Sequence, residues 1–544
     1  MENRKIIYGA VLTALMSLSA LTACNGNSAA DKYDKNGRLI LNLKNVYFDQ
    51  WTGEDMYTDI INEKFGVSIK ASNYAYEDWD TMVNTAINGN NLTDTIQFNL
   101  KAYNFGSTYE SWVDFGMLKA LPDDMSKWPN LKSMLDNISN IDALKVDGKL
   151  YGIPIANDIK NPQKDFSNFT YVYRRDWAKQ IDEINKDKAG YQPVYREGDV
   201  YTWDEFTRLC DAFNTNLKTL SGMTQASVLV DEEWAFPSVT NFYKDAPHCY
   251  AKDADGKAIA NFASEKYLAG LEVAKDFVSG KKIYSQDQYN FAANKANQLY
   301  LGGQAAILYD NYSLANYIKL RKLFKESQKN IPGFNLDDGT AFLKIKGPDG
   351  KFALEGTENW FSMTMFNADI SDKKQEKILD ILDYLLTEEG TRLAIYGKQG
   401  YDYDIVDGEV VLNEMGWEKD AMTGQYATKT NGAKYLRYMA TLGNDTKSYD
   451  PFTELDAYNL LNAWQEEMKA AKTAGELRVV QEPADISWMS TPSKNDKTEG
   501  LLADANTAVL KYCFDKKSFA DYKKEFENNN WKKVLQEINQ KLGK

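Results

Sequence analysis

The chain has 544 residues and a formal charge of −14 at pH 7, from 64 Lys and Arg against 78 Asp and Glu. An acidic body argues against a nucleic acid partner, which needs a basic face, and the length exceeds what one hydrophobic core fills, so two or more lobes are expected. His248 is the only histidine, which leaves Ser-His, Cys-His and imidazole-metal chemistry a single candidate, lying beside Pro247 in a polar loop.

Taken from the start, Arg4 and Lys5 precede an apolar run over 6–20 that ends in Leu21-Thr22-Ala23-Cys24. The run is shorter than the roughly 20 residues of a membrane span, and small residues before the cysteine suit a signal peptidase, so 1–23 reads as an export signal peptide. Leu21 to Cys24 resembles the lipobox of bacterial lipoproteins, which implies that Cys24 carries a diacylglyceryl group with palmitate-type chains and becomes the mature N-terminus. Two acyl chains anchor stably where one does not. The small, polar stretch 24–37 then serves as a flexible tether, and the expected location is the extracellular face of the cell membrane. Cys210, Cys249 and Cys513 are odd in number and lack metal-ligand spacing, so neither a disulfide framework nor a metal site is expected.

The early mature region alternates strand (39–46), helix (56–65), strand (67–73), helix (79–86) and strand (95–98), the pattern of an α/β lobe with helices covering a largely parallel sheet. Ligands of such sheets collect at the carboxyl ends of strands, which points to Asp49, Gln50, Trp51, Asn99 and Tyr103. Residues 169–173 read as a strand running into a helix that begins at Arg175-Asp176-Trp177. Thr202-Trp203-Asp204-Glu205 is a capping box at a helix start. Asp253-Ala254-Asp255-Gly256 resembles the opening of a calcium loop, but Ser264 stands where the twelfth-position glutamate belongs, so a hairpin turn is expected. Tyr267, Leu268, Leu271, Ala274 and Val278 recur at helical spacing up to Gly280, as do Ile378, Leu382, Leu385 and Leu386 between Ser371 as N-cap and Gly390 as C-terminal stop. From 453 the chain reads mostly helical, ending in an amphipathic helix over 531–542.

Several spaced segments are similar to the extracellular solute-binding proteins, family 1, of sugar ABC transporters, in their long Gram-positive lipoprotein form. They are the lipobox at Cys24, Asp147-Gly148-Lys149-Leu150-Tyr151-Gly152-Ile153-Pro154, Tyr173-Arg174-Arg175-Asp176-Trp177, Gly302-Gly303-Gln304-Ala305-Ala306-Ile307, Gly347-Pro348-Asp349-Gly350-Lys351 and Tyr396-Gly397-Lys398-Gln399-Gly400-Tyr401-Asp402-Tyr403. The resemblance implies an α/β, two-lobed, periplasmic-binding-protein-like fold of type II, with an interlobe hinge and a helical C-terminal extension over 453–544. It implies a first lobe from 38–155 plus 312–360 and a second from 156–311 plus 361–452. Chain crossings are expected near 153–158, 308–312 and 359–364, which makes Asn157, Asp158, Asp310, Asn311, Tyr312 and Trp360 candidates for the cleft, with Tyr401 and Tyr403 from the last motif.

Sugars offer an apolar face to an aromatic ring and a hydroxyl rim to amides and carboxylates. Trp51, Trp234, Trp360 and Trp488 all stand beside such polar residues in connecting segments, where an exposed ring needs a reason; Trp177, Trp203 and Trp531 lie on expected helices and read as packing. Arginine forks are scarce, which favours a neutral oligosaccharide, although Arg174 and Arg175 leave a uronate open. The expectation is a monomeric, cofactor-free receptor that delivers saccharide to permease subunits of an ABC importer. A peptide ligand for the same fold stays open, as does an anchored glycoside hydrolase with paired carboxylates.

Overall fold

The computed structural model describes residues 31–48, 51–75, 78–99, 105–138, 141–156, 166–223, 226–330, 334–357, 360–413, 417–419, 426–428, 432–440, 455–487, 489–514, 517–527 and 531–544. Its strands, in chain order, begin with β1 (Leu39–Lys44), β2 (Val67–Ser72), β3 (Thr95–Asn99) and β4 (Gly152–Ala156). After a crossing come β5 (Phe169–Tyr173), β6 (Val200–Tyr201), β7 (Ser227–Asp231), β8 (Tyr250–Lys252), β9 (Ala258–Ala260), β10 (Ala305–Asn311), β11 (Ala341–Ile345) and β12 (Phe352–Glu355). The chain then returns as β13 (Trp360–Phe366), forms hairpins β14 (Tyr403–Val406) with β15 (Glu409–Leu412) and β16 (Trp417–Lys419) with β17 (Tyr426–Thr428), and adds β18 (Leu477–Val480) near the end.

Two five-stranded sheets result, ordered β2-β1-β3-β13-β4 and β6-β11-β5-β10-β7. In the first, β1 runs parallel to β2 and β3 while β13 lies antiparallel between β3 and β4. The parallel step from β1 to β2 is made by the helix Met56–Phe65, capped at its start by Asp55, whose Oδ1 accepts from Tyr57 N and Thr58 N at 2.9 Å each, and stopped by Gly66 in a left-handed conformation. In the second sheet β10 is parallel to β7 and antiparallel to β5. Each sheet has its own buried apolar core, and the two-lobed α/β architecture is the expected one.

Strand pairing exchanges two pieces of the division expected from sequence. Residues 312–360 were assigned to the first lobe, but β11 pairs with β5 and β6, and the helix Leu314–Gln328 packs in the second-lobe core. Residues 361–452 were assigned to the second lobe, but β13 lies in the first sheet and the helices Asp372–Leu385 and Glu388–Tyr396 bury Ile378, Leu382 and Leu393 in the first-lobe core. The expected crossing at 308–312 is the end of β10, hydrogen-bonded within the second sheet. Gly347 N–H donates to Lys351 O at 2.8 Å, closing a tight turn that folds the chain back from β11 to β12, so the Gly-Pro-Asp-Gly segment keeps the chain in the same lobe. Gly390 likewise does not stop the helix: Thr387 caps the next one, and Gly390 sits in its first turn, where a Cβ would come 2.0 Å from Tyr384 O.

The crossings themselves are braced. Ser167 N–H donates to Glu355 O at 2.8 Å, which ties the segment entering β5 to the segment leaving β12. The parallel pair β12 and β18 continues this ribbon, Gly356 N–H reaching Val480 O at 2.7 Å. From β18, Arg478 Nη2 donates to Asn241 O at 3.2 Å. The C-terminal helices cover the second lobe: Trp464 stacks 5.3 Å from Phe342, and Trp531 packs edge-on 5.8 Å from Tyr250. The acidic turn between β8 and β9 is a hairpin, Asp253 Oδ1 accepting from Asp255 N at 3.0 Å and Lys257 N at 2.9 Å. Cys210, Cys249 and Cys513 are free and buried. Among the described residues no helix is long and apolar enough to cross a membrane.

Candidate functional site

Both lobes point the carboxyl ends of their parallel strands toward the crossings, where open α/β sheets bind ligands. On the second lobe these ends carry Asp231 (β7) and Asp310 (β10), and β5 starts beside them, with Asn311 opposite Phe169 in the register. The loop after β7 is held at two points. Fully buried Asp231 accepts from Ser238 N and Ser238 Oγ, at 2.8 Å each, while its main chain exchanges two bonds with the Gln288 side chain, at 3.1 and 2.6 Å. Glu232, also buried, accepts from Asn294 N and Asn297 N, at 3.0 Å each, and from Asn297 Nδ2 at 2.7 Å. These amides open the helix Lys295–Leu301, so the carboxylate satisfies donors the helix leaves unpaired. Asn297 Nδ2 also donates to Asp310 Oδ2 at 2.7 Å, bridging the two acids.

Between these anchors Trp234 is 51% exposed, its ring 4.9 Å from that of Phe169. The indole is thus exposed on a loop held at both ends, beside the first residue of the strand that enters from the crossing. Burial pushes the Asp231 carboxyl up to about 7, and burial likewise raises Glu232 and Asp310. Three carboxyls whose charged form is disfavoured by burial thus lie at these strand ends, and Lys319 acts on Asp310 in the opposite sense.

The first lobe offers a second aromatic group at the end of β1. Tyr47 is partly buried, 5.4 Å from Tyr438 and 6.2 Å from Trp79. Lys44 Nζ lies 5.3 Å over Tyr74. Gln97 O accepts from Trp79 Nε1 at 2.8 Å and from the Tyr74 hydroxyl, while Gln97 Nε2 donates to Ser362 Oγ at 2.8 Å. These bonds fix the ring group to the centre of the sheet.

Of the residues expected at the site, Trp234 and Asp310 stand together on the second-lobe rim. Trp51 is 5% exposed, donates from Nε1 to Asp55 Oδ2 at 2.7 Å and stacks 5.5 Å from Tyr435, so its loop folds into the core rather than out of it. Tyr312 is buried with its hydroxyl donating to Leu308 O at 3.3 Å, because the turn after β10 tucks under the helix that follows. Trp360 opens a central strand and is fully buried. Tyr403 is buried 5.6 Å from Tyr396, while Tyr401 is exposed in the turn before β14. Asp49, Asn157, Asp158 and Trp488 lie outside the described residues, as does Cys24. Arg174 and Arg175 follow β5 at the end opposite Phe169, committed to Asp176 (2.8 Å) and Asp199 (2.9 Å) respectively. Phe169, Asn297, Tyr47 and Tyr438 carry no sequence signal for the site, whereas Glu232 stands in the acidic run Asp231-Glu232-Glu233 that marks Trp234 as a candidate.

No family model and no curated protein sequence matches this chain. Solved structures do match in fold. The alginate-binding protein AlgQ2, crystallised without calcium ion, superposes with a TM-score of 0.60 at 14% identity, covering 92% of this chain and 96% of its own. An EF-hand mutant of the Streptococcus pneumoniae ABC-transporter substrate-binding protein FusA, in complex with fructo-nystose, gives 0.58 at 17% identity, covering 92% and 98%. An extracellular solute-binding protein from Bifidobacterium longum subsp. infantis gives 0.61 at 12% identity, covering 94% and 99%.

Proposed function

We propose that this protein is a solute-binding receptor that captures a saccharide between its lobes and delivers it to the permease of an ABC importer, and that it has no catalytic role. The carrying observation is Trp234, half exposed on Phe169, with the partly buried Asp310 carboxylate at the neighbouring strand end next to the crossing. A ring face for the C–H side of a sugar and acceptors for its hydroxyls are what pyranose or furanose recognition requires. The sugar-binding neighbours of the same fold support this reading.

The ligand is taken to be a neutral oligosaccharide, since carboxylates crowd the second-lobe rim and Arg174 and Arg175 are spent at the far end of the sheet. Binding draws the lobes together because the closed form makes contacts the open form lacks. The receptor acts as a monomer, tethered through acylated Cys24 at the outer face of the membrane. Calorimetry against neutral malto-, xylo-, manno- and fructo-oligosaccharides and against alginate oligomers tests the assignment. A neutral ligand should bind and Trp234→Ala should weaken it at least tenfold, about 1.4 kcal/mol; silence across the panel removes the saccharide assignment, and preference for the alginate oligomers replaces the neutral ligand by an acidic one.

A further inference from the structure

The loop that carries Trp234 is unusual in what holds it. Exposed loop tips ordinarily owe their conformation to weak local contacts. Here two consecutive carboxylates turn inward, Asp231 to Ser238 at the far end of the loop and Glu232 to the helix starting at Lys295, while Trp234 turns out. Tyr171 adds a hydroxyl donated to Ser238 Oγ at 2.8 Å, so the closing end is tied in turn to the central strand of the sheet. Burying two acids costs stability, which an apolar or amide pair would avoid.

We propose that Asp231 and Glu232 are positioning residues: they fix both ends of the 232–238 loop, so that Trp234 meets the saccharide already oriented. This rests on Trp234 being the ligand platform. The physical gain is preorganisation, because a side chain immobilised before binding does not lose its freedom at the moment of binding. Asn297 extends the device to the neighbouring strand: one amide group holds Glu232 and Asp310 together, so the ring and the acceptor from β10 keep a constant separation.

The test uses the full chain labelled with 5-fluorotryptophan, the Trp234 resonance being assigned by its loss in Trp234→Phe. The wild type should give one narrow line for Trp234. Glu232→Ala and Ser238→Ala should each broaden or split that line and weaken the tightest neutral oligosaccharide of the panel about tenfold, the cost of re-immobilising one side chain. Glu232→Gln should fall between the wild type and Glu232→Ala on both readouts, because its single amide oxygen can still accept from Asn297 N and Nδ2 while its NH2 group faces the Asn294 N–H donor. If Glu232→Ala fails to fold, Asn297→Ala is read in its place. An unchanged line in these variants, or an altered line with affinity within twofold of wild type, overturns the positioning role. Undiminished binding by Trp234→Ala is a separate result that removes the platform reading itself.

Discussion

Lys374 donates to both carboxylate oxygens of Asp94, at 2.8 and 2.9 Å, across 280 residues of sequence. Asp94 Oδ2 also accepts from Asn42 N at 2.7 Å, so one buried acid joins β1, the start of β3 and the helix Asp372–Leu385. The ion pair adds a side-chain tie to the β13 pairing that places the returning segment in the first lobe. Lys374→Met leaves the carboxylate buried and unpaired, and should cost about 3–5 kcal/mol, whereas adding Asp94→Asn should recover more than half of that. Urea unfolding of the two variants, followed by a probe confined to the first lobe, checks the pair.

Trp51 and Trp234 both stand in polar connecting segments, yet their substitutions should have opposite consequences. Trp51 is packed against Phe48 and Tyr435 with its N–H satisfied, so Trp51→Ala opens a cavity worth about 3–5 kcal/mol of stability. Its saccharide affinity should stay within threefold of wild type at temperatures where it is folded. Trp234→Ala should leave the thermal midpoint within 2 °C or so, as expected for a surface position, and lose affinity. Thermal unfolding and calorimetry on the same samples separate the two.

Stability should pass through a trough at about pH 7–8. The Asp231 carboxyl is raised by burial from 3.8 to about 7, so between those values the folded state holds a proton that the unfolded chain has lost, and stability falls as pH rises toward 7. Lys494 is buried, donating to the carbonyls of Ile486, Ser487 and Met489, and burial lowers it from 10.5 to about 8. There the unfolded chain holds the extra proton, so stability recovers as pH climbs from about 8 toward 10.5. Thermal midpoints from pH 5 to 10 should show the trough; Asp231→Asn should flatten its acid side and Lys494→Met its alkaline side.

Local signals survived into the structure and long-range ones did not. The helix Met56–Phe65 and the strand Phe169–Tyr173 have the limits their apolar patterns indicated, because caps and periodicity act over a few residues. The lobe to which a segment belongs is decided by partners such as Thr364 opposite Gln97 or Phe342 opposite Val172, which no local pattern encodes. The same limit applied to the site. Trp51, Trp234 and Trp360 share a polar sequence context, and what distinguishes them is whether a distant element covers the ring. Glu232 and Asn297, 65 residues apart, meet only because β7 and the helix after Asn294 adjoin the same sheet edge.

The capping box at Thr202 is the sharpest local feature and gives a correspondingly sharp prediction. Glu205 N–H donates to Thr202 Oγ1 at 3.4 Å, and Glu205 Oε2 accepts from Thr202 N at 3.0 Å, so two donors at the start of the helix Trp203–Ser221 are satisfied reciprocally. Arg196 Nε adds a bond to Glu205 Oε1 at 2.7 Å, and together these contacts hold the carboxyl down at about 2. A lowered carboxyl contributes stability that is present above its unfolded value and lost as pH falls through the folded one. Thr202→Ala should therefore cost about 1 kcal/mol at neutral pH, Thr202→Ser much less, because serine keeps the acceptor. Below pH 3 Glu205 begins to protonate and Oε2 weakens as an acceptor, yet Thr202 Oγ1 still accepts from the Glu205 amide. Part of the Thr202→Ala deficit should therefore persist in acid, whereas the deficit of Glu205→Ala should shrink further, and denaturant unfolding of both variants at pH 7 and pH 3 distinguishes the two halves of the cap.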